Sequence, residues 1–385
     1  MPLTQGSDPG RYGCTNPLWP CSMTGAVACL AGLEGVAVIV HGSSGCYFYP
    51  ATLINAPILG TFLIESDIIF GAEERLREVI GGISDADRIA VVNTCVPAVM
   101  GEDIRSMIEE YDVLLIDSPG FLGDFEAGYR TAIRGIAPAI DPDAPGVNID
   151  GISLADPFYR GSLMEGRRLL IGAGAGVAAT FCADRYAALN RAGGLTVGVN
   201  PDLASGIGEW CGSLLGLDGV RAAFERLEAA CGEVDAEPVY RECARAEKQI
   251  AKACDKYLRR FDPPRAAVFS GFSYAVHAAE TLERYLDADI VAVASRSTVQ
   301  PSRYRAEQVT DLSRVREVLR EHAPDLIIGS SYEQTLAPDA AFVGLTPPLR
   351  GRILLHAHPL AGIEGTLYLM EEVLNACMDR ERSCR

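Results

Sequence analysis

Residues 36–46 read VAVIVHGSSGC, and this run sets the reading of the whole chain. Val36–Val40 is a continuous β-branched and apolar stretch with no polar alternation, the pattern of a strand buried on both faces. His41 and the glycines at 42 and 45 then break the run, and Cys46 closes the loop. A strand that ends in a Gly/Ser loop and feeds a helix is the unit of a parallel α/β sheet. Such sheets build their sites at the carboxyl ends of their strands. Gly42 and Gly45 let a bulky group approach the backbone closely.

The same unit recurs along the chain. Ile89–Val92 precedes NTCVP, Val113–Ile116 precedes DSPGF, and Leu169–Ile171 precedes GAGAG. Ala267–Phe269 precedes SGFSY, Ile290–Ala294 follows, Leu326–Ile328 precedes GSSYEQ, and Ile353–Leu355 precedes HAHP. Strands alternating with helices predict an α/β protein with parallel sheets covered on both faces. Two breaks divide the series: APAIDPDAPGVNID at 137–150, and FDPPR at 261–265 after a charged helical stretch from Val239 to Arg260. Three Rossmann-like domains are expected, at 1–150, 151–262 and 263–385, the first holding the cluster site described next.

Composition narrows the function. A chain of 385 residues exceeds one ordinary core. Its net charge of −17, without any Lys/Arg stripe, argues against nucleic acid as a partner. The longest nearly apolar stretch, Ala26 to Val40, is interrupted by Glu34 and several glycines and is no membrane span. MPLTQGSDPGRYG at the start has neither the basic segment nor the apolar core of a signal peptide. The twelve cysteines are therefore expected in a reducing compartment, the cytoplasm.

Three cysteines stand apart. Cys21 opens CSMTGA, Cys46 closes HGSSGC, and Cys95 lies in NTCVPAVMGED. Two of them follow predicted strands. Helices starting from about Tyr47 and within MGEDIRSMIEE would aim positive dipole ends at the loops, favouring thiolates and an anionic iron–sulfur cluster. Spacing alone fits buried, inert thiols equally well. There is no CxxC pair, which argues against a zinc ribbon or a ferredoxin-type run. Cys14 is either a further ligand or part of an N-terminal arm. Cys29, Cys182 and Cys211 read as core, Cys231, Cys243 and Cys254 as part of a charged helical segment, and Cys377 and Cys384 as a disorder-prone C-terminal end.

CSMTGAVACLAGLEGVAVIVHGSSGC at 21–46 and VVNTCVPAVMGEDI at 91–104 resemble cluster segments of the nitrogenase component 1 family. That family comprises the catalytic-protein side of nitrogenase and its nitrogenase-like relatives. The likeness continues in residues 65–80, in NRAGGLTVGVNPDLASGIGEWC, in PDLIIGSSYEQTLA and in GIEGTLYLMEEVLNA. It implies a nitrogenase component 1-like fold and Cys21, Cys46 and Cys95 as metal ligands, with Gly45 in the cofactor loop. The cofactor implied is a 4Fe-4S cluster, or a larger 8Fe-7S-type cluster at a dimer interface. The partners implied are a second copy or a homologous subunit, and an ATP-dependent nitrogenase-type iron protein; this chain contains no GxxxxGK(S/T) of its own.

The cysteine and histidine that hold the family's large active-site cofactor have no match here at the right spacing. The compact length is similar to that of the protochlorophyllide reductase subunits and the nickel-sirohydrochlorin diamide reductive cyclase. The resemblance therefore implies an oxidoreductase acting on a small molecule, with a tetrapyrrole as the leading substrate; the alternative is a scaffold or carrier for assembling a complex iron–sulfur cofactor. Candidate catalytic residues are His41 beside the cluster loop, Glu65 and Asp67 as proton donors or helix caps, and His356 and His358 after the last predicted strand. His277 is expected on a solvated helix face. GAGAG at 172–176 reads as tight packing, since it is not the dinucleotide fingerprint.

Overall fold

The computed structural model describes residues 18–141 and 144–383. Cys14 and Cys384 lie outside them. The chain forms two compact units, one comprising residues up to Ala31 with Gly35–Ile136, the other Gly32–Glu34 with Ala137–Arg385.

The first unit carries one parallel sheet. Its strands are β1 (Val36–His41), β2 (Leu59–Gly60), β3 (Arg88–Asn93) and β4 (Val113–Asp117), in the order β2-β1-β3-β4. Its helices are α1 (Ser22–Leu30), α2 (Ser44–Leu53), α3 (Glu65–Phe70), α4 (Glu73–Gly81), α5 (Cys95–Met100), α6 (Ile104–Met107) and α7 (Phe125–Ile136). Ile39 and Val91 of the sheet pack with Leu76 and Ile80 of α4 and with Ile104. All nine residues of α1 are buried. A Cβ at Gly25 would fall 1.8 Å from the Phe125 carbonyl oxygen, and one at Gly128 would fall 1.7 Å from that of Ser22, so α1 and α7 touch backbone to backbone.

The second unit carries two sheets. The first has β5 (Val147–Asp150), β6 (Val177–Thr180), β7 (Leu195–Gly198) and β8 (Glu209–Ser213), ordered β6-β5-β7-β8. The other has β9 (Arg265–Ser270), β10 (Asp289–Ser295), β11 (Ala306–Gln308), β12 (Leu326–Gly329) and β13 (Ala341–Gly344), ordered β11-β10-β9-β12-β13. Its helices are α8 (Tyr159–Gly172), α9 (Gly216–Ala230), α10 (Glu237–Leu258), α11 (Phe272–Leu286), α12 (Leu312–His322), α13 (Ser331–Leu336) and α14 (Gly362–Ser383). One continuous apolar core joins Ile149 and Val197 to Val268 and Ile328 by way of Ile250 and Cys254 of α10. No helix among the described residues is long and apolar enough to cross a membrane.

The three parallel sheets match the expected α/β class. The division expected after residue 150 falls at the end of β5, which pairs with β6 and β7. Leu169–Ile171, expected as a strand, is the last turn of α8: Leu169 and Leu170 are buried in helical phase with Gly166. Ile353–Leu355 is not a strand either. Ile353 and Leu355 are 86% and 87% exposed, and the last strand is β13. Cys377, expected at a disorder-prone end, is buried on α14, and His277, expected in solvent, is 6% exposed on α11.

Candidate metal-cluster site

In the first sheet the chain leaves β1 toward β2 on one side and leaves β3 toward β4 on the other. The topological switch point therefore lies between β1 and β3, where open α/β sheets form their binding crevice. Cys46 follows β1 and Cys95 follows β3, which places both thiols at that crevice. His41, Asn93 and Asp117 are in register across the carboxyl edge of the sheet.

Each cysteine sits at a helix start. Cys21 is the N-cap of α1, Cys46 is in the first turn of α2, and Cys95 is the first residue of α5. At Cys46 and Cys95 the helices thus begin before or at the cysteine, not after it as the sequence suggested, whereas α1 starts directly after Cys21. None of the three cysteines is in a disulfide, and all are half-buried. Burial raises the pKa of Cys46; Ser43 and Thr94 oppose the rise, while the neighbouring Cys95 and Cys21 reinforce it. Cys21 and Cys95 thus both lie within electrostatic range of the Cys46 thiol.

The loop 117–124, DSPGFLGD, braces this neighbourhood. Its Gly120 N–H donates to Cys95 Sγ at 3.2 Å. Its Gly123 carbonyl accepts from Ser22 N–H at 3.1 Å, Ser118 Oγ lies 2.6 Å from Ser22 Oγ, and Asp124 bridges to Cys21. Trp19 Nε1 donates to Glu126 at 3.2 Å, holding the segment before Cys21 against α7. Thr24 Oγ1 lies 3.7 Å from Cys21 Sγ. Sequence reasoning missed the donor from Gly120, because a backbone N–H leaves no signature in residue type.

His41 is wholly buried, with Nδ1 3.2 Å from Thr61 Oγ1 and Nε2 3.4 Å from Glu102 Oε2. Desolvation lowers its pKa, against the pull of Glu102. The imidazole therefore ties the end of β1 to the GED segment, with both ring nitrogens engaged. The acidic pair of that segment is structural: Glu102 also accepts from Ala72 N–H at 2.9 Å, and Asp103 caps α6. Asp67 braces the start of α3 by accepting from Ile64 N–H at 2.9 Å. Glu65 is exposed in the first turn of the same helix.

Gly42 is the crowded glycine of the cluster loop, since a Cβ there would lie 1.9 Å from Thr94 Oγ1. Gly45 is exposed, and a Cβ there would meet only Ser43 Oγ at 4.0 Å. His356 and His358 belong to the second unit. His358 stacks on Tyr368 with ring centroids 4.5 Å apart and lines a cavity of about 390 Å³ with Leu354, Leu367 and Glu371. His356 is exposed, 6.4 Å from the His358 ring.

The description of the "Nitrogenase component 1 type Oxidoreductase" family matches residues 21–378. The chain belongs to that family. It is 25% identical to the nitrogenase molybdenum-iron protein beta chain of Sinorhizobium fredii, over 95% of this chain and 84% of that protein. The nitrogenase iron-molybdenum cofactor biosynthesis protein NifE of Bradyrhizobium diazoefficiens is 34% identical, over 32% of this chain and 27% of its own length. Among solved structures, Nitrogenase Cp1 at pH 6.5 superposes with a TM-score of 0.81 at 17% identity, covering 100% of this chain and 97% of that one. The family of nitrogenase component 1 type oxidoreductases implies an iron–sulfur cluster, and this donor set fits one. Three thiols from three segments converge at the switch point, with hydrogen-bond donors aimed at their sulfurs. Among the described residues no group of three His, Cys, Asp or Glu side chains is arranged to hold a single metal ion.

Proposed function

We propose that this protein is a subunit of a nitrogenase-like reductase, taking electrons from an ATP-dependent iron protein and reducing an unsaturated small molecule, with a tetrapyrrole as the leading substrate class. The observation that carries the reading is the convergence of Cys21, Cys46 and Cys95 at the carboxyl edge of the first sheet. The cluster, when bound, supplies one-electron transfer at low potential. The chain's own residues hold the thiolates: α1 and the 117–124 loop fix Cys21, the first turn of α2 fixes Cys46, and Gly120 N–H favours the anionic form of Cys95.

Three thiolates per chain fall short of the usual four for one cluster, which supports a shared site between two chains. Large apolar side chains stand exposed in this same unit. Phe48 is 58% exposed, Ile69 65%, Phe70 86% and Val99 77%, and Phe48 and Val99 lie on the helices that carry Cys46 and Cys95. Exposed apolar side chains on the cysteine-bearing helices support a protein interface there, with a second copy or a homologous subunit. In the second unit, His358 and its cavity are the candidate substrate contacts.

The likeness to a cofactor biosynthesis protein supports a second reading, a scaffold on which a complex iron–sulfur cofactor is assembled. The two separate in one experiment. Reconstituted protein is mixed anaerobically with a nitrogenase-type iron protein, ATP and protochlorophyllide or a nickel-sirohydrochlorin diamide. ATP-dependent reduction with multiple turnovers supports the reductase; transfer of iron to an apo-acceptor without turnover supports the scaffold.

A further inference from the structure

Thr94 is the N-cap of α5 and immediately precedes Cys95. The residue has no solvent exposure, and its hydroxyl oxygen has no hydrogen-bond partner within normal distance. It does not cap its own helix, the usual task of threonine at this position. Instead the hydroxyl is wedged against the cluster loop, close enough to Gly42 that any Cβ there would collide with it. Cys46 lies within its electrostatic reach.

A valine would fill the same volume without burying an unpaired polar atom, so a hydroxyl in this place calls for an acceptor, and the Cys46 thiol, whose pKa the Thr94 side chain lowers, is beside it. The other two cysteines have donors of their own. Thr24 lies beside Cys21, and the Gly120 N–H points at Cys95. Ser43 acts on Cys46 from the N-cap of the same helix, whereas Thr94 reaches it from the start of α5. The acceptor is therefore an anionic sulfur at the Cys46 position.

We propose that the Thr94 hydroxyl donates a hydrogen bond to the Cys46 sulfur when an iron–sulfur cluster is bound, and so sets that cluster's reduction potential. The proposal rests on the cluster assignment above. A donor to a ligating sulfur stabilises the more negative, reduced state, so the bond raises the potential and its removal lowers it. Thr94 touches no iron in this account; it tunes a ligand.

The test uses the full chain, reconstituted anaerobically as wild type, Thr94→Val and Thr94→Ser. Iron and sulfide per chain are counted, and the midpoint potential is read by a redox titration followed by EPR. Thr94→Val should hold wild-type iron at a more negative midpoint, and Thr94→Ser should restore the wild-type midpoint. Loss of iron in Thr94→Val with retention in Thr94→Ser also supports the donor. An unchanged midpoint in Thr94→Val, a shift that Thr94→Ser does not reverse, or loss of iron in both variants overturns it. Wild-type protein that takes up no iron overturns the cluster assignment itself and is seen before any variant is compared.

Discussion

Replacing Gly128 with alanine probes how the fold positions Cys21. The new Cβ would lie 1.7 Å from the Ser22 carbonyl oxygen, where contacts under 3.0 Å are essentially never found, so α7 must retreat from α1 by more than an ångström. Both partners are backbone, and no side-chain rotation relieves the clash. Overpacking of this kind costs about 1–3 kcal/mol. Cys21 adjoins Ser22 at the N-cap of α1, and metal ligands tolerate displacements of only about 0.2 Å. Gly128→Ala should therefore lower the urea midpoint and also lose iron, although every cysteine remains. Gly81→Ala at the end of α4 is the control, because a Cβ there meets nothing within 4 Å and should change stability by less than about 1 kcal/mol. Urea denaturation followed by circular dichroism, with iron analysis after anaerobic reconstitution, reads both effects. Wild-type midpoint and iron in Gly128→Ala, or an equal loss in Gly81→Ala, would refute the reasoning.

The buried His277 makes stability depend on acid. Desolvation holds its pKa near about 4 against the ordinary 6.5, so it is neutral in the folded chain while the unfolded chain takes up a proton. The stability tied to it is fully present above pH 6.5 and is lost as pH falls toward 4, by about 3 kcal/mol in all. His277→Leu should remove this acid-sensitive part of the pH slope, leaving the contributions of His41, of the same sign, and of the buried Asp150 and Asp156, of the opposite sign; an unaltered pH slope would count against it. Arg296 and Glu333 form a buried ion pair, with each side chain at most 1% exposed. Arg296→Met should cost about 3–5 kcal/mol by stranding the carboxylate, and adding Glu333→Gln should recover most of it. Equal midpoints for the single and double variants would contradict that.

The sequence made six strands readable, β1, β3, β4, β9, β10 and β12, because each is a run of apolar residues that stops at a polar residue or a glycine. The second sheet was opaque for local reasons. β5 begins one residue after the Pro-Gly pair of a Pro/Asp-rich stretch, and β8 opens with Glu209 and Trp210 facing solvent. These short strands are specified by the common core they share with the third sheet, a long-range property that no window of sequence contains. Leu169–Ile171 misled because three apolar residues before glycine look alike in a strand and in the last turn of a helix.

The cluster site divides in the same way. The cysteines were legible because thiols at predicted strand ends carry both chemistry and position. Their supports were not: the Gly120 N–H is invisible in residue type, and Thr94 matters only because α5 begins directly behind it. His41 was legible as a neighbour of the cluster loop, whereas its burial between Thr61 and Glu102 depended on chain segments 20 and 61 residues away.

Iron and acid-labile sulfide per chain, measured on anaerobically reconstituted wild-type protein beside Cys21→Ala, Cys46→Ala and Cys95→Ala, test the central claim most directly. Wild-type protein should be brown, with roughly four or more irons per dimer, and each single variant should lose most of them. Colourless, iron-free wild-type protein, or a Cys46→Ala variant that keeps its full iron, would contradict the account.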